Sequence, residues 1–363
     1  MRNPISDQAR PQQREGARIG GIDAARALAI VGMLMVHVGP RDRTNVAEVL
    51  YNLPHGRASI LFAFIAGIGM SLLSARRGQM NAARIRLVWM ALVLLPLGLV
   101  LQTLDHGIAV ILHHYAVFYL FGILVMALPM RLLGMFAAVA SVCGPLAYFA
   151  IGAQWPDFVG RETVAVGDRP VEIVGGLLLS GPYPLLTWSA ALLWGMWAGR
   201  LDLRSARSQV GLLMVGVALA ASVAIIAAFA LHILGEPEGL GDWRQLLSDA
   251  PHSQMPLWMV GSIGAASAVT GAMLIIADHW HRLSGPLVAL GQLAFSFYVA
   301  HLVALHFLKD ILRRETVGEA MVSVIVVTGM AGLFAVIWRR NFARGPLEAL
   351  LVLPFDRARQ GRQ

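Results

Sequence analysis

Asp23, Arg26 and His37 are ionisable residues that lie within one apolar stretch near the start of the chain. Ionisable side chains inside a membrane span cost several kcal/mol unless they face a bundle interior or a water-filled cavity. On an α-helix, Arg26 and His37 would point within about 20° of each other and lie roughly 16 Å apart along the axis. The pattern therefore predicts a polar stripe that reaches from one face of a bilayer towards the other and needs polar partners on neighbouring helices.

The chain also has eleven histidines, which are well suited to acid–base chemistry at neutral pH. A neutral imidazole, with a pKa of about 6.5, can take a proton from an amine or a hydroxyl. His37 and His55 are the candidate bases, and Ser59 follows His55 by one helical turn on the same face. Arg57 points nearly the other way and could bind an anion or a lipid headgroup. An interfacial histidine can instead anchor a helix end, as Trp and Tyr do, and the sequence leaves both interpretations open.

Other familiar sites lack the required spacing. His113 and His114 are adjacent and would point about 100° apart on a helix, and His301 and His306 are five residues apart. A zinc ion would therefore need ligands from several helices. No Gly-x-Ser-x-Gly turn marks a serine nucleophile, and no Gly-rich phosphate loop is present in the sequence. We expect no bound metal or prosthetic group.

The composition indicates what kind of fold must position these residues. Hydrophobic residues make up 57% of the 363 residues and charged residues only 14%, against about 25% in soluble domains. This predicts an all-α membrane protein that crosses the bilayer many times. The net charge of +8 comes from arginines scattered between apolar blocks, which is typical of membrane topology and argues against a nucleic-acid partner. The single cysteine, Cys143, excludes an intrachain disulfide.

Apolar runs long enough to cross a bilayer predict a polytopic bundle of about ten transmembrane helices. The residues before them, 1–18, are rich in Arg, Gln and Pro and are expected to form a disordered cytoplasmic tail. Residues 19–338 form the multi-span membrane domain, and residues 339–363 are expected to be an amphipathic cytoplasmic tail against the membrane. The predicted spans cover approximately residues 20–39, 55–75, 86–104, 109–129, 131–152, 181–199, 209–233, 256–277, 285–307 and 319–338.

The distribution of basic residues predicts the orientation of the bundle. With the N-terminal tail in the cytoplasm, nineteen Lys and Arg residues lie on the cytoplasmic side and nine on the other. Cytoplasmic loops carry the excess of basic residues, so both termini are predicted to be cytoplasmic and the protein to lie in the inner (cytoplasmic) membrane. This topology places Asp23 and Arg26 at the inner leaflet. It places nine of the histidines, among them His37, His114 and His301, towards the outer leaflet.

Five short blocks of the chain occur in an order known from one family of membrane proteins. They are residues 18–33 with an Asp-x-x-Arg pair, residues 55–67, Gly181-Pro-Tyr-Pro-Leu-Leu-Thr-Trp, Gly199-Arg-Leu-Asp-Leu and Arg344-Gly-Pro-Leu-Glu. These blocks resemble the heparan-α-glucosaminide N-acetyltransferase-like membrane proteins and their bacterial YeiB-like branch. Residues 19–205 resemble the acetyltransferase catalytic part, and residues 206–338 resemble the YeiB-like C-terminal part.

The resemblance implies an integral membrane acyltransferase. It implies that an acetyl group passes from cytoplasmic acetyl-CoA, which is a donor substrate, to an extracytoplasmic acceptor such as an envelope sugar or lipid. The donor chain would thread between helices to a histidine near the far face, for which His55 is the first candidate and His37 the second. Asp23, Arg26, Arg57, Ser59, His114 and His301 would then line the donor path or bind substrate. The expected partners are the lipid bilayer, acyl-CoA, the acceptor and a second copy of the chain in a homodimer.

Two other functions are compatible with the same residues. In a small-molecule or proton-coupled transporter, the polar stripe would be the path of the transported species and no covalent chemistry would occur. The sequence has no internal repeat of the kind that many transporters use. In a scaffold or sensor, the histidines and Asp23 would serve only to hold the helices together.

Overall fold

The computed structural model describes residues 18–352 apart from 43, 76, 77, 161, 162 and 240, and gives only the backbone at 281–283. Within this part every regular element is helical, because in lipid each backbone polar group must find its partner inside the segment itself. A 3₁₀ turn covers Trp243–Leu247. The α-helices are α1 (Gly20–Val38), α2 (Val46–Tyr51), α3 (Arg57–Ser74), α4 (Met80–Gln102), α5 (Leu112–Val125), α6 (Met130–Gln154), α7 (Pro156–Val159), α8 (Pro170–Leu178), α9 (Leu185–Ala198), α10 (Ala206–Leu234), α11 (Pro256–His279), α12 (His281–Gln292), α13 (Ala294–Leu312) and α14 (Val317–Asn341).

The all-helical membrane fold that the composition predicts is confirmed. Within the described residues, eight helices are long and apolar enough to cross a membrane: α1, α3, α4, α6, α10, α11, α13 and α14. Two further predicted spans correspond to α5 and α9, which have 14 residues each. A helix of that length rises about 21 Å, less than the ~30 Å hydrocarbon core. The count of ten spans therefore stays a prediction.

The predicted span over residues 285–307 differs from the structure, which has two helices there. The chain leaves the helical conformation at Leu293, with φ −108° and ψ 23°, and α13 starts afresh at Ala294. The Glu348 carboxylate accepts hydrogen bonds from the backbone N–H groups of Phe295 and Ser296 at 2.8 and 3.1 Å. A carboxylate at a helix N-terminus satisfies free donors and complements the helix dipole, so a distant acid stabilises the break.

Helix α1 is the central element of the bundle. It packs against α3, α11, α12, α13 and α14, and 67% of its most apolar window is buried, compared with 22% for α10 and 17% for α14. The surfaces that α10 and α14 expose are apolar, as at Ile225, Phe229 and Met330. An apolar outer surface is what a lipid environment favours. The polar stripe predicted on α1 thus lies inside the bundle, where its charges can find partners.

Small residues let neighbouring helices approach closely. A Cβ atom on Gly195 of α9 would lie 1.9 Å from the backbone oxygen of Phe64 on α3. In the same way, a Cβ atom on Gly67 of α3 would lie 2.2 Å from the backbone oxygen of Leu192. Such contacts are typical of helix pairs in membranes, where close backbone packing replaces the hydrophobic effect as a source of stability.

The up-and-down order of the helices gives the bundle two distinct ends. At one end, Arg314 donates its backbone N–H to Val38 O at 2.8 Å, and Arg313 donates to His106 O at 2.6 Å. We call this the histidine end. At the opposite end, Arg200 donates to Met126 O at 2.9 Å. We call this the basic end, and α1 begins there.

Residues 342–352 fold back across the basic end, and we call them the C-terminal strap. The indole N–H of Trp338 donates to Arg344 O at 2.7 Å, and that of Trp89 donates to Leu350 O at 2.9 Å. The strap thus connects α14 to α4. It forms part of the predicted amphipathic tail (339–363), of which residues 339–341 end α14 and 353–363 lie outside the described residues. The predicted N-terminal tail (1–18) lies outside them too, apart from Arg18.

Candidate functional site

Asp23 is nearly fully buried, 4% exposed, and its carboxylate receives three side-chain contacts. Arg26 Nη1 lies 2.7 Å from Oδ1, while Arg18 Nε and Gln292 Nε2 lie 3.4 and 3.3 Å from Oδ2. The i, i+3 pair that the sequence permits is therefore formed, and α12 completes it through Gln292. Partners of this kind offset the cost of placing a carboxylate inside a bundle.

A cavity of about 660 Å³ opens beside this ion pair. Ligand pockets commonly measure about 300–1,000 Å³, so the cavity has room for a small-molecule substrate. It lies between α1, α3, α4, α5, α12, α13 and the C-terminal strap. Its rim at the basic end includes the exposed side chains of Arg18, Gln79 and Arg344.

Among the described residues, four arginines line the outer part of the cavity: Arg18, Arg26, Arg86 and Arg344. Guanidinium groups are the usual protein ligands of phosphate and carboxylate groups because their donors form a planar fork. Arg18 and Arg26 are both partly committed to Asp23. The rim as a whole offers a positively charged entrance to an apolar interior.

The inner part of the cavity is apolar except for tyrosines. Tyr298 accepts a hydrogen bond from the Ile111 backbone N–H at 3.2 Å. The Tyr115 hydroxyl is buried and has no hydrogen-bond partner among the described residues. The side chains that line this inner part are Met33, Phe62, Leu94, Ile111, Leu112, Tyr115, Tyr119 and Tyr298.

His37 and His301 form a hydrogen-bonded pair between α1 and α13. Their nitrogens Nδ1 and Nε2 are 3.2 Å apart, and the rings are stacked with centroids 5.4 Å apart. His301 Nδ1 lies 3.3 Å from Phe297 O. A carbonyl oxygen can only accept, so His301 Nδ1 carries a proton when that bond forms, and the neutral His301 accepts at Nε2. His37 then donates from Nδ1, which leaves the lone pair of its Nε2 available to take a proton.

This histidine pair lies one helical turn beyond the inner wall of the cavity. Met33 lines the cavity and precedes His37 on α1, while Tyr298 lines it and precedes His301 on α13. The rings of Tyr298 and His301 are in edge contact, with centroids 5.2 Å apart. Helix α1 therefore carries both Arg26 of the rim and, about three turns further along, His37 of the pair.

His55 belongs to a second cluster at the histidine end. Its ring contacts that of His252, with centroids 5.8 Å apart. The His252 ring in turn packs against those of Tyr183, Trp188 and Trp258, at 5.6, 6.2 and 5.7 Å. Burial among these rings lowers the pKa of His252 to about 4, which keeps it neutral at physiological pH. His55 thus lies at the edge of an aromatic cluster.

The segment that carries His252 is held in an uncommon backbone conformation. His252 and Gln254 both have positive φ values, 59° and 63°, which non-glycine residues seldom adopt. The fully buried Gln254 side chain accepts from Thr187 Oγ1 at 2.8 Å and from Trp188 Nε1 at 3.0 Å, and it donates to Pro182 O at 2.9 Å. This network offsets the strain. Sequence reasoning missed Gln254 because an isolated loop glutamine carries no periodic signal.

The other residues that the sequence singles out have mainly structural surroundings. Arg57 Nη2 lies 3.4 Å from Asp249 Oδ2, so it ties α3 to the connection before α11. Ser59 is buried in α3, and His114 is buried in α5, with its ring 5.4 Å from that of Tyr183. None of these three is among the residues that line the large cavity.

Fold and site together define a polytopic membrane protein with a cavity that leads from an arginine rim to Met33 and Tyr298, one helical turn before a histidine pair. Residues 198–352 match the family model described as "Protein of unknown function (DUF418)", a family of membrane proteins. No curated protein matches the chain. Because this family consists of membrane proteins, the match is consistent with the resemblance to the YeiB-like branch.

The matched region supplies one side of the site. Gln292, Tyr298, His301, Arg344 and Glu348 all lie within it. Their partners Asp23 and His37, and the remaining cavity walls on α3, α4 and α5, come from the part of the chain before it. The site is therefore shared between the matched region and the rest of the chain.

Proposed function

We propose that the protein is an integral membrane acyltransferase that moves an acetyl or other acyl group from cytoplasmic acyl-CoA to an extracytoplasmic acceptor. The observation that carries this proposal is the cavity, which joins an arginine rim to a tyrosine-lined interior beside a histidine pair. The phosphates of acyl-CoA match the guanidinium groups of the rim. Its long acyl-bearing arm, which is less polar, matches the interior.

The proposal requires the basic end to face the cytoplasm. The excess of Lys and Arg on that side of the bundle supports this orientation. The histidine pair then faces the outer leaflet, where an envelope sugar or lipid could approach. The protein would reside in the inner membrane, with both termini in the cytoplasm.

In the reaction, His37 Nε2 takes the proton of the acceptor hydroxyl or amine as that oxygen or nitrogen attacks the thioester carbonyl carbon. The new carbon–oxygen or carbon–nitrogen bond forms, the carbon–sulfur bond breaks, and the leaving thiolate receives the proton from His37. His301 keeps the His37 ring in the required tautomer and accepts from its Nδ1–H throughout. The products are the acylated acceptor and free CoA.

His55 remains the alternative base, and its surroundings suggest a role with the acceptor. The rings of Tyr183, Trp188 and Trp258 are buried around its neighbour His252, so they hold the cluster in place, and His55 at its edge is the group that an acceptor hydroxyl would meet. In this arrangement His37 would act on the reacting group, and His55 would help to hold the acceptor.

The test uses purified protein in lipid nanodiscs with acetyl-CoA labelled in its acetyl group. We expect saturable binding of acetyl-CoA and transfer or slow release of the label. His37→Gln should lose at least about 10²-fold in turnover while it still binds the donor, because general-base catalysis commonly contributes about 10²–10⁴-fold. His279→Gln is the matched control, because this exposed histidine at the basic end bonds only to Ile275 O among the contacts described for it.

No binding at millimolar acetyl-CoA would contradict the proposal. Counterflow of a substrate in proteoliposomes, without any acylated product, would favour the transporter instead. Mass spectrometry of envelope material from cells with and without the protein would identify the acceptor through the lost acyl mark.

A further inference from the structure

The Tyr115 hydroxyl is an unsatisfied polar group in the wall of the cavity. Tyr115 is 5% exposed and lines the inner part of the cavity on α5. Its oxygen is buried and has no hydrogen-bond partner among the described residues. Buried tyrosine hydroxyls usually have a partner, so this group is positioned to receive one from a bound molecule.

Tyr298 offers a second donor at the same place. Its oxygen accepts the Ile111 backbone N–H at 3.2 Å. A phenol has one proton to donate as well as lone pairs that accept, so this contact leaves the Tyr298 O–H available. Tyr298 is 4% exposed and lines the same cavity. The Tyr115 backbone N–H in turn donates to Ile111 O at 3.0 Å, so both tyrosines are bonded to Ile111.

Of these two tyrosines, Tyr298 lies next to the histidine pair. The Tyr298 and His301 rings are in contact at 5.2 Å, and His301 holds His37 through the 3.2 Å hydrogen bond. A base and a pair of hydrogen-bond donors around one point are what acyl transfer requires, because the attacked carbonyl oxygen becomes negatively charged as the base removes a proton.

We infer that the Tyr115 and Tyr298 hydroxyls donate hydrogen bonds to the thioester carbonyl oxygen of the bound donor and stabilise it as an oxyanion. The inference rests on the proposed acyltransferase function. As the acceptor attacks, the carbonyl electron pair moves onto this oxygen; it returns to re-form the carbonyl when the carbon–sulfur bond breaks. Both donors are held in the wall of the cavity before the reaction, on side chains that are themselves buried.

Tyr115→Phe tests the inference directly, because it removes the hydroxyl and keeps the ring. Loss of one oxyanion donor typically lowers kcat about 10²–10³-fold, so we expect a loss of about 10²-fold in turnover with unchanged donor Kd. Thermal stability should stay equal or rise, since the variant removes an unpaired buried hydroxyl. If Tyr115 had only a structural role, its substitution would not lower turnover while donor Kd and thermal stability were kept.

Two further variants complete the experiment. Tyr148→Phe is the control, because this buried tyrosine of α6 is not among the cavity residues, and it should retain full turnover. Tyr298→Phe should lose turnover as Tyr115→Phe does, but it should also lose stability, because the Ile111 N–H loses its acceptor.

The outcomes separate the inference from the proposed function. Suppose that the wild type transfers the acyl group and that Tyr115→Phe keeps a normal kcat or loses only donor affinity. This result would overturn the oxyanion role and leave the acyltransferase proposal intact. A wild-type protein that neither binds nor turns over acetyl-CoA would overturn both.

Discussion

At the residue scale, the hydrogen bond between His37 and His301 determines that Nε2 is the nitrogen of His37 that can accept a proton. The contact of His301 with Phe297 O fixes one tautomer, and the next bond transmits that choice to His37. A base of this kind is oriented by backbone geometry, in the way that metal-bound or catalytic imidazoles are oriented by a second hydrogen bond. The arrangement therefore needs no carboxylate beside the pair.

Asp23 and Arg26 give a prediction for stability. Replacement of Asp23 by Asn leaves the partly buried Arg26 without a counter-charge, and breaking a buried pair commonly costs about 3–5 kcal/mol. Since Arg26 retains about a quarter of its side-chain exposure, we expect the lower part of that range. Tryptophan fluorescence during thermal unfolding in detergent should show a midpoint several degrees lower.

The control for this prediction is the Arg169–Glu172 pair, which has the same i, i+3 spacing and a 2.6 Å contact. Arg169 is 77% exposed there, and pairs open to water contribute little to stability. Glu172 also accepts the backbone N–H of Arg169 at 3.0 Å, a bond that a glutamine at the same position can keep. Glu172→Gln should therefore leave the midpoint nearly unchanged. Equal shifts in both variants would contradict the importance of burial at Asp23. In a double-mutant cycle, Arg26→Gln should recover part of the loss caused by Asp23→Asn.

Sequence patterns identify some residues of the site and miss others. Ionisable groups in an apolar run stand out by their cost, so Asp23, Arg26 and His37 could be identified. Tyr115 and Tyr298 could not, because a tyrosine in an apolar helix has the pattern of an ordinary core residue. The pairing of His37 with His301 joins positions 264 residues apart, and periodicity carries no information at that distance.

At the scale of elements, the C-terminal strap is both a wall of the cavity and a cap for α13. Glu348 binds the first N–H groups of α13 and the Ser296 hydroxyl, the latter at 2.6 Å, while Arg344 lines the rim. A substitution of Glu348 should therefore also change the position of Arg344 at the rim. The apolar runs predict the helices well, but they do not predict the break at Leu293, since the acid that stabilises it comes from another part of the chain.

Glu348→Ala should release the strap. Loss of a carboxylate cap costs about 0.5–2 kcal/mol, and here the same carboxylate ties the strap, which carries Arg344, to α13. We expect faster hydrogen exchange over residues 342–352 and a roughly five- to tenfold weaker donor Kd, which corresponds to about 1–1.4 kcal/mol. Mass spectrometry of exchanged peptides and a binding isotherm would measure the two effects.

Glu319→Ala serves as the comparison, because Glu319 is an exposed acid in the first turn of α14 that bonds to Thr316. It should leave both the exchange of the strap and the donor Kd unchanged. If Glu348→Ala alters neither quantity, the strap does not depend on its cap.

At the scale of the whole molecule, the orientation of the bundle decides which compartment the arginine rim faces. In a background where the single cysteine is replaced, Cys143→Ala, one new cysteine would be placed at each end. Arg207→Cys marks the basic end and Gly239→Cys marks the connection at the histidine end; both positions are exposed. An impermeant maleimide added to intact cells should label Gly239→Cys and should label Arg207→Cys only after lysis. The reverse pattern would place the rim outside and would contradict a cytoplasmic donor.

The distribution of the site over the chain has a consequence for how such proteins are inherited. The boundary near residue 198, where the family match begins, separates His37 from His301 and Asp23 from Gln292. A gene fragment that encoded only the matched region would carry one wall of the cavity and half of each pair. Recombination at that boundary would join two halves of the cavity, and of each bonded pair, that come from different chains, so the two parts of the chain are expected to change together over evolutionary time.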